Sequence, residues 1–87
     1  MKVKKADPAA AMAAKFAAAG FPCEIEAATR GLIVYASSKE HVQAIARDIA
    51  LAVRPRTRVV LTDVLRDEDE PPATCWWTAI EFDWKEF

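Results

Sequence analysis

Apolar and polar positions repeat with two different periods along this chain, and the switches between them mark out six elements. From Thr74 to Trp84 the even positions are Thr74, Trp76, Thr78, Ile80, Phe82 and Trp84. The odd positions are Cys75, Trp77, Ala79, Glu81 and Asp83. A strand sends alternate side chains to opposite faces, so this spacing predicts a strand with one heavy apolar face. Its other face is acidic apart from Trp77, which makes Trp77 the least expected residue to be buried. Cys23, Ile25 and Ala27 alternate with Glu24 and Glu26 and predict a strand over 23–28. Leu32 to Ser37, apolar and β-branched, predicts the next strand after a tight turn at Thr29-Arg30-Gly31. Thr57 to Leu65 reads as a third strand, and a polar loop with Pro71-Pro72 leads into the aromatic fourth.

The helical period occurs twice. Asp7 reads as an N-cap with Pro8 at the first helical position, where its missing N–H costs nothing. Ala9 to Ala19 follow, with Met12, Phe16 and Ala19 on one stripe. Gly20 supplies a left-handed residue, Phe21 can fold back on Phe16, and Pro22 blocks continuation. The second helix is predicted to start at a Ser37 cap with Glu40 completing a capping box. Its apolar stripe is Val42, Ile45, Ala46, Ile49 and Val53, and Pro55 ends it.

The order α-β-β-α-β-β predicts an α+β two-layer sandwich, an antiparallel four-stranded sheet with both helices on one face. Moving the first strand of a ferredoxin-like fold to the end gives this order, a circularly permuted ferredoxin-like arrangement with strand order 3-4-2-1 and the aromatic strand inside the sheet. The 87 residues are expected to form a single domain, with 1–6 a tail or short edge strand.

Hairpin register then sorts the faces. With a turn near 67–73, Arg58 falls opposite Asp83, Val60 opposite Glu81, Thr62 opposite Ala79 and Val64 opposite Trp77. Val59, Leu61, Leu65, Trp76, Ile80, Phe82 and Trp84 point inward, with Ile25, Ala27, Leu32 and Val34 from the first hairpin. The open face carries Ile33, Tyr35, Val60, Val64 and Trp77, fringed by Glu24, Glu26, Arg58, Arg66, Glu81 and Asp83. An apolar centre with a charged rim is the anatomy of a protein interface, and Trp, Tyr and Arg are its usual hot spots.

A formal net charge of −1 argues against strong nonspecific attraction to nucleic acid or anionic lipid. The charge is unevenly placed: Lys2, Lys4 and Lys5 are basic, as are Arg54, Arg56 and Arg58, whereas Asp67, Glu68, Asp69 and Glu70 form an acidic run. No stretch reaches the roughly 18 apolar residues of a membrane span. The Ala-rich segment is interrupted by Lys15 and preceded by Asp7-Pro8, which does not suit a signal peptide, so a cytoplasmic location is expected. Cys23 and Cys75 read as small buried hydrophobes, not as a disulfide or metal site.

Catalytic chemistry is sparse. His41, the one histidine, is expected on the surface, off the apolar stripe of its helix. There is no P-loop, GxGxxG or HExxH, and two glycines cannot build a phosphate cradle. Asp63 and the run Asp67 to Glu70 lack the spacing of a cation loop. No catalytic residue, metal or cofactor is expected.

Arg30-Gly31-Leu32-Ile33-Val34-Tyr35, followed by Ser-Lys-Glu and a helix, resembles the third strand and second helix of an RNA recognition motif over about a quarter of the chain. The resemblance implies single-stranded RNA stacked on aromatics of an open sheet face. Leu32 and Val34 stand where that family has its stacking aromatics.

The sequence thus favours a small noncatalytic domain with a protein partner, a nucleic-acid-binding host protein among the candidates. A homodimer stacked through two open faces is compatible with it. Domains of this size and acidity are common among regulators and phage-type inhibitors of host enzymes, anti-CRISPR proteins included. Such an inhibitor would present Asp67 to Glu70, Glu81 and Asp83 to a basic channel. The alternative is a nucleic-acid-binding module using Lys2, Lys4, Lys5, Arg54, Arg56, Arg58 and Arg66 on phosphates.

Overall fold

The computed structural model describes residues 8–86, so the Asp7 cap and the tail 1–6 lie outside the described residues. Two helices stand with an open antiparallel sheet: α1 (Pro8–Ala18), β1 (Glu24–Ala28), β2 (Gly31–Ala36), α2 (Lys39–Val53), β3 (Val60–Leu61), β4 (Leu65–Arg66) and β5 (Trp76–Glu81). Short 3-10 turns cover Pro72–Thr74 and Trp84–Glu86. The sheet runs β1-β2-β5-β3, with β4 also paired to β5. The aromatic strand therefore has neighbours on both sides.

Local chemistry sets the helix ends. Gly20 takes φ +94. Phe21 N–H donates to Phe16 O at 2.8 Å and Gly20 N–H to Ala17 O at 3.1 Å, the paired bonds of a Schellman end. The α2 cap is Ser38, not Ser37: Ser38 is extended (φ −144, ψ 154) and its hydroxyl accepts from His41 N–H at 3.1 Å. Glu40 is then one position too early for a capping box. Val42, Ile45, Ala46, Ile49, Ala50 and Val53 form the buried stripe of α2.

A single core joins both helices to one face of the sheet. Ala9 of α1 and Ile45, Ala46, Ile49 and Val53 of α2 pack with Ile25, Leu32, Val34, Ile80 and Phe82. Fully burying an apolar side chain of this size contributes about 1.5–3 kcal/mol. Met12, Phe16, Cys23, Val59 and Trp84 flank the cluster. Strand β5 stops at Glu81, so Phe82 and Trp84 reach the core from beyond it. Trp84 Nε1 donates to Ala28 O at 2.9 Å, and its ring meets Phe82 edge-on at 4.9 Å.

The predicted third strand is broken. Val60 pairs with Glu81 and Leu61 with Ile80, but Leu65 pairs with Trp77 and Arg66 with Trp76. Three residues, 62–64, thus face two, 78–79, which is a one-residue bulge. Five strands occupy four positions in the sheet. Threonine hydroxyls bridge the gap. Ala79 N–H donates to Thr62 Oγ1 at 3.0 Å, and buried Thr78 donates from Oγ1 to Thr62 O at 2.9 Å.

Candidate functional site

Because side chains alternate and the core takes one face of the sheet, the other face holds Glu24, Glu26, Ile33, Tyr35, Trp77, Ala79, Glu81 and Val60. The bulge adds Leu65 to this face and removes Val64 from it. Shifting register by one residue exchanges the faces, so Leu65, expected inward, now sits opposite Trp77 and is 50% exposed. Val64, expected opposite Trp77, instead lines a groove against α2 with Gln43, Ala46 and Arg47. Arg66 leaves the expected fringe as well. It pairs with Trp76, its guanidinium carbon 5.9 Å from that ring's centroid, and reaches Glu68 at 3.9 Å.

The pairings build one row straight across the sheet: Glu24, Tyr35, Trp77, Leu65. Glu26, Ile33 and Ala79 form the next. Tyr35, Ile33 and Trp77 are half-buried, whereas Val60, like Leu65, is half exposed. The result is an aromatic and aliphatic strip with carboxylates at one end.

The electrostatics of that end centre on Tyr35. Its hydroxyl donates to Glu26 Oε1 at 3.3 Å. Burial pushes the phenol up from its ordinary value, and the charge and hydrogen bond of Glu26, then the charges of Glu70 and Glu24, push it further. Each carboxylate disfavours a second negative charge beside it. Among the described residues, none of Glu24, Glu26, Glu70 or Glu81 forms an ion pair.

The other predicted site residues divide. Asp67 shapes its own loop: its N–H donates to Cys75 O at 2.7 Å, its Oδ1 accepts from Asp69 N–H at 3.0 Å, and its carbonyl accepts from Glu70 N–H at 3.2 Å. Glu68, Asp69 and Glu70 are exposed on the turn so formed. Asp83 caps the final turn, its Oδ1 accepting from Lys85 N–H at 2.9 Å. Arg54, Arg56 and Arg58 are exposed between α2 and β3. Leu32 and Val34, where the RNA-binding resemblance would need aromatics, are wholly buried on the core face.

His41 is not the surface residue expected. It is half-buried, its ring edge-on to Phe21 at 5.6 Å, and its Nδ1 is buried with no hydrogen-bond partner among the described residues. Phe21, returning after the Schellman turn, covers it. Cys23 and Cys75 are both free thiols. Among the described residues, no three His, Cys, Asp or Glu side chains gather as a metal site, and no helix is long and apolar enough to cross a membrane.

Concavities also form between the elements, and two concern the site. One, of about 380 Å³ between the helices, is walled by Met12, Phe16, Ile49 and Val53 with Lys15 and Asp48 at its mouth. The other, of about 360 Å³, lies between α1 and the outer edge of β1, where Glu24, Glu26 and Tyr35 meet Ala10, Ala13 and Ile25. Sequence periodicity does not register either, because each forms between elements. Compared with protein-family models, curated proteins and solved structures, the chain matches none of them.

Proposed function

We propose that this chain is a small noncatalytic protein-binding domain that works through its open sheet face. The observation that carries the reading is the row Tyr35–Trp77–Leu65: three large side chains laid side by side on a face that the core does not use, with carboxylates at its end that form no ion pair with a described residue. Aromatic anchors inside a polar rim are where interfaces concentrate their binding energy. The carboxylates favour a partner whose surface is basic. In its sharpest form the domain is an inhibitor or regulator seated over the basic channel of a nucleic-acid-processing protein. The strand order β1-β2-β5-β3 supports describing the scaffold as a circularly permuted ferredoxin-like sandwich.

Capture from host lysate tests this, with and without nuclease, using wild type and Trp77→Ala. A nuclease-resistant partner lost in the variant is expected. Equal capture by both proteins overturns the assignment to this face. Sedimentation of the two proteins detects a homodimer stacked through the same surface.

The nucleic-acid reading keeps one observation in its favour, the exposed Arg54, Arg56 and Arg58 between α2 and β3. Binding through several phosphates weakens steeply as salt rises. Absence of oligonucleotide binding at low salt ends that alternative.

A further inference from the structure

We infer that the cleft between α1 and the outer edge of β1 seats an arginine side chain of the protein partner. Three features of the cleft point to that chemistry. First, its wall is apolar and shallow: Ala10 and Ala13 of α1 and Ile25 of β1 leave room where larger residues would fill it. Its volume of about 360 Å³ is at the small end of ligand-sized clefts, which start at roughly 300 Å³. A wall of this kind suits the methylene stem of a long cationic side chain, which packs on apolar surface while its head stays polar.

Second, the polar side is acidic, and no Lys or Arg among the described residues lines the cleft. Glu24 and Glu26 stand two residues apart on β1, so their carboxylates leave the same face of the strand roughly 7 Å apart. Neither is ion-paired with a described residue, and Glu70 adds its field at Tyr35. A guanidinium carries five donors in a planar fork and can satisfy two carboxylates together, whereas an ammonium acts as a point charge.

Third, Tyr35 faces the same cleft, directly opposite Glu24 and held by its hydroxyl on Glu26. Its ring offers a surface for cation–π stacking, which a guanidinium uses more often than an ammonium does. The same sheet already shows this pairing on its other face, where Arg66 lies over Trp76. Apolar wall, paired carboxylates and aromatic face thus converge on one group.

The inference rests on the protein-binding reading, because Tyr35 belongs to both the cleft and the open face, but it makes a separate demand. It is tested with the whole chain and three short peptides: acetyl-Gly-Arg-Gly-Arg-Gly-amide, its lysine counterpart, and its citrulline counterpart, which keeps the shape of arginine without the charge. The readouts are peptide affinity and protection of the Cys23 thiol, which lines the cleft and is half-buried, against alkylation. The arginine peptide is expected to bind saturably, slow Cys23 alkylation, and bind about tenfold more tightly than either counterpart. Glu24→Gln/Glu26→Gln, both at exposed positions, is expected to lose the same tenfold while folding normally.

Equal binding of the three peptides, or binding indifferent to the glutamine pair, overturns the arginine seat. Failure of this inference and of the wider reading are distinguishable. A partner captured through Trp77 with no arginine-peptide binding refutes the cleft alone. Arginine-peptide binding that depends on Glu24 and Glu26, together with partner capture unchanged in Trp77→Ala, refutes the open-face reading and leaves the cleft standing.

Discussion

Replacing Gly31 with alanine should be among the most damaging single-methyl changes available to this fold. Gly31 opens β2 at φ +113. The two hairpin residues before it, Thr29 and Arg30, both keep negative φ, so the turn cannot be one of the mirror-image types and the left-handed residue falls on Gly31. Conformational strain for a non-glycine residue there is about 1–3 kcal/mol. Sterics add to it. A Cβ at Gly31 would overlap the Ile80 carbonyl oxygen and lie 2.9 Å from its carbon and 3.1 Å from Glu81 Cα. All three atoms are backbone of the central strand, so relief requires β2 and β5 to separate beside the buried Leu32–Ile80 pair. Overpacking of that kind costs about 1–3 kcal/mol more. The combined loss is roughly 2–6 kcal/mol, against roughly 4–13 kcal/mol of total stability for a domain of this length. Gly20→Ala is the internal control. It has a similar φ of +94 but nothing within 4 Å of the added Cβ, so only strain applies, about 1–2 kcal/mol. Urea unfolding followed by tryptophan fluorescence gives both values. Equal losses for the two variants, or a Gly31→Ala loss under about 1 kcal/mol, would refute the close approach of β2 to β5.

Thr78→Val should cost about 1–3 kcal/mol in the same assay, because the buried hydroxyl donates to Thr62 O at the bulge and valine leaves that carbonyl without it. His41→Leu should be neutral or stabilising by about 1 kcal/mol, since it removes a buried, unpartnered Nδ1 and keeps apolar contact with Phe21; a clear loss would show that Nδ1 is satisfied. Tyr35 should ionise above the ordinary tyrosine value near 10, read by ultraviolet absorbance, and Glu26→Gln should lower that pH. The raised value belongs to the folded state, so the stability it reflects is fully present below the pH where an unfolded tyrosine ionises. That stability is lost as pH rises through the higher folded value. Unfolding measured across that window should weaken more in wild type than in Tyr35→Phe.

Much of this architecture is legible in the residues because local and global signals agree. Gly20, Phe21 and Pro22 stop α1 by three separate mechanisms, and the Schellman bonds follow. Glu24 and Glu26 flank Ile25 and face away from the core, and the short turn at Thr29-Arg30 pairs them with Tyr35 and Ile33, which therefore fall on the same open face. Elsewhere the signal is two-sided. Val59-Val60-Leu61 and Val64-Leu65 are apolar at both parities, so either face can bury them, and the bulge at 62–64 costs the pattern nothing. That is why Val64 and Leu65 exchanged roles beside Trp77. Ser37 and Ser38 are chemically equivalent caps, and the Glu40 spacing favours the one that the backbone does not use. The burial of His41 depends on Phe21, twenty residues earlier, which no helical period contains. The cleft beside β1 depends on how α1 lies along an edge strand, information carried by no single segment.

The central claim is that Trp77, half-buried in the middle of the open face between Tyr35 and Leu65, anchors a protein partner. The most direct measurement is the bait concentration that half-captures the nuclease-resistant partner, compared between wild type and a folded Trp77→Ala protein. A buried aromatic hot spot contributes about 2 kcal/mol or more, so the half-capture concentration should rise about 30-fold or further. An unchanged value in a variant with native circular dichroism would contradict the assignment of this face.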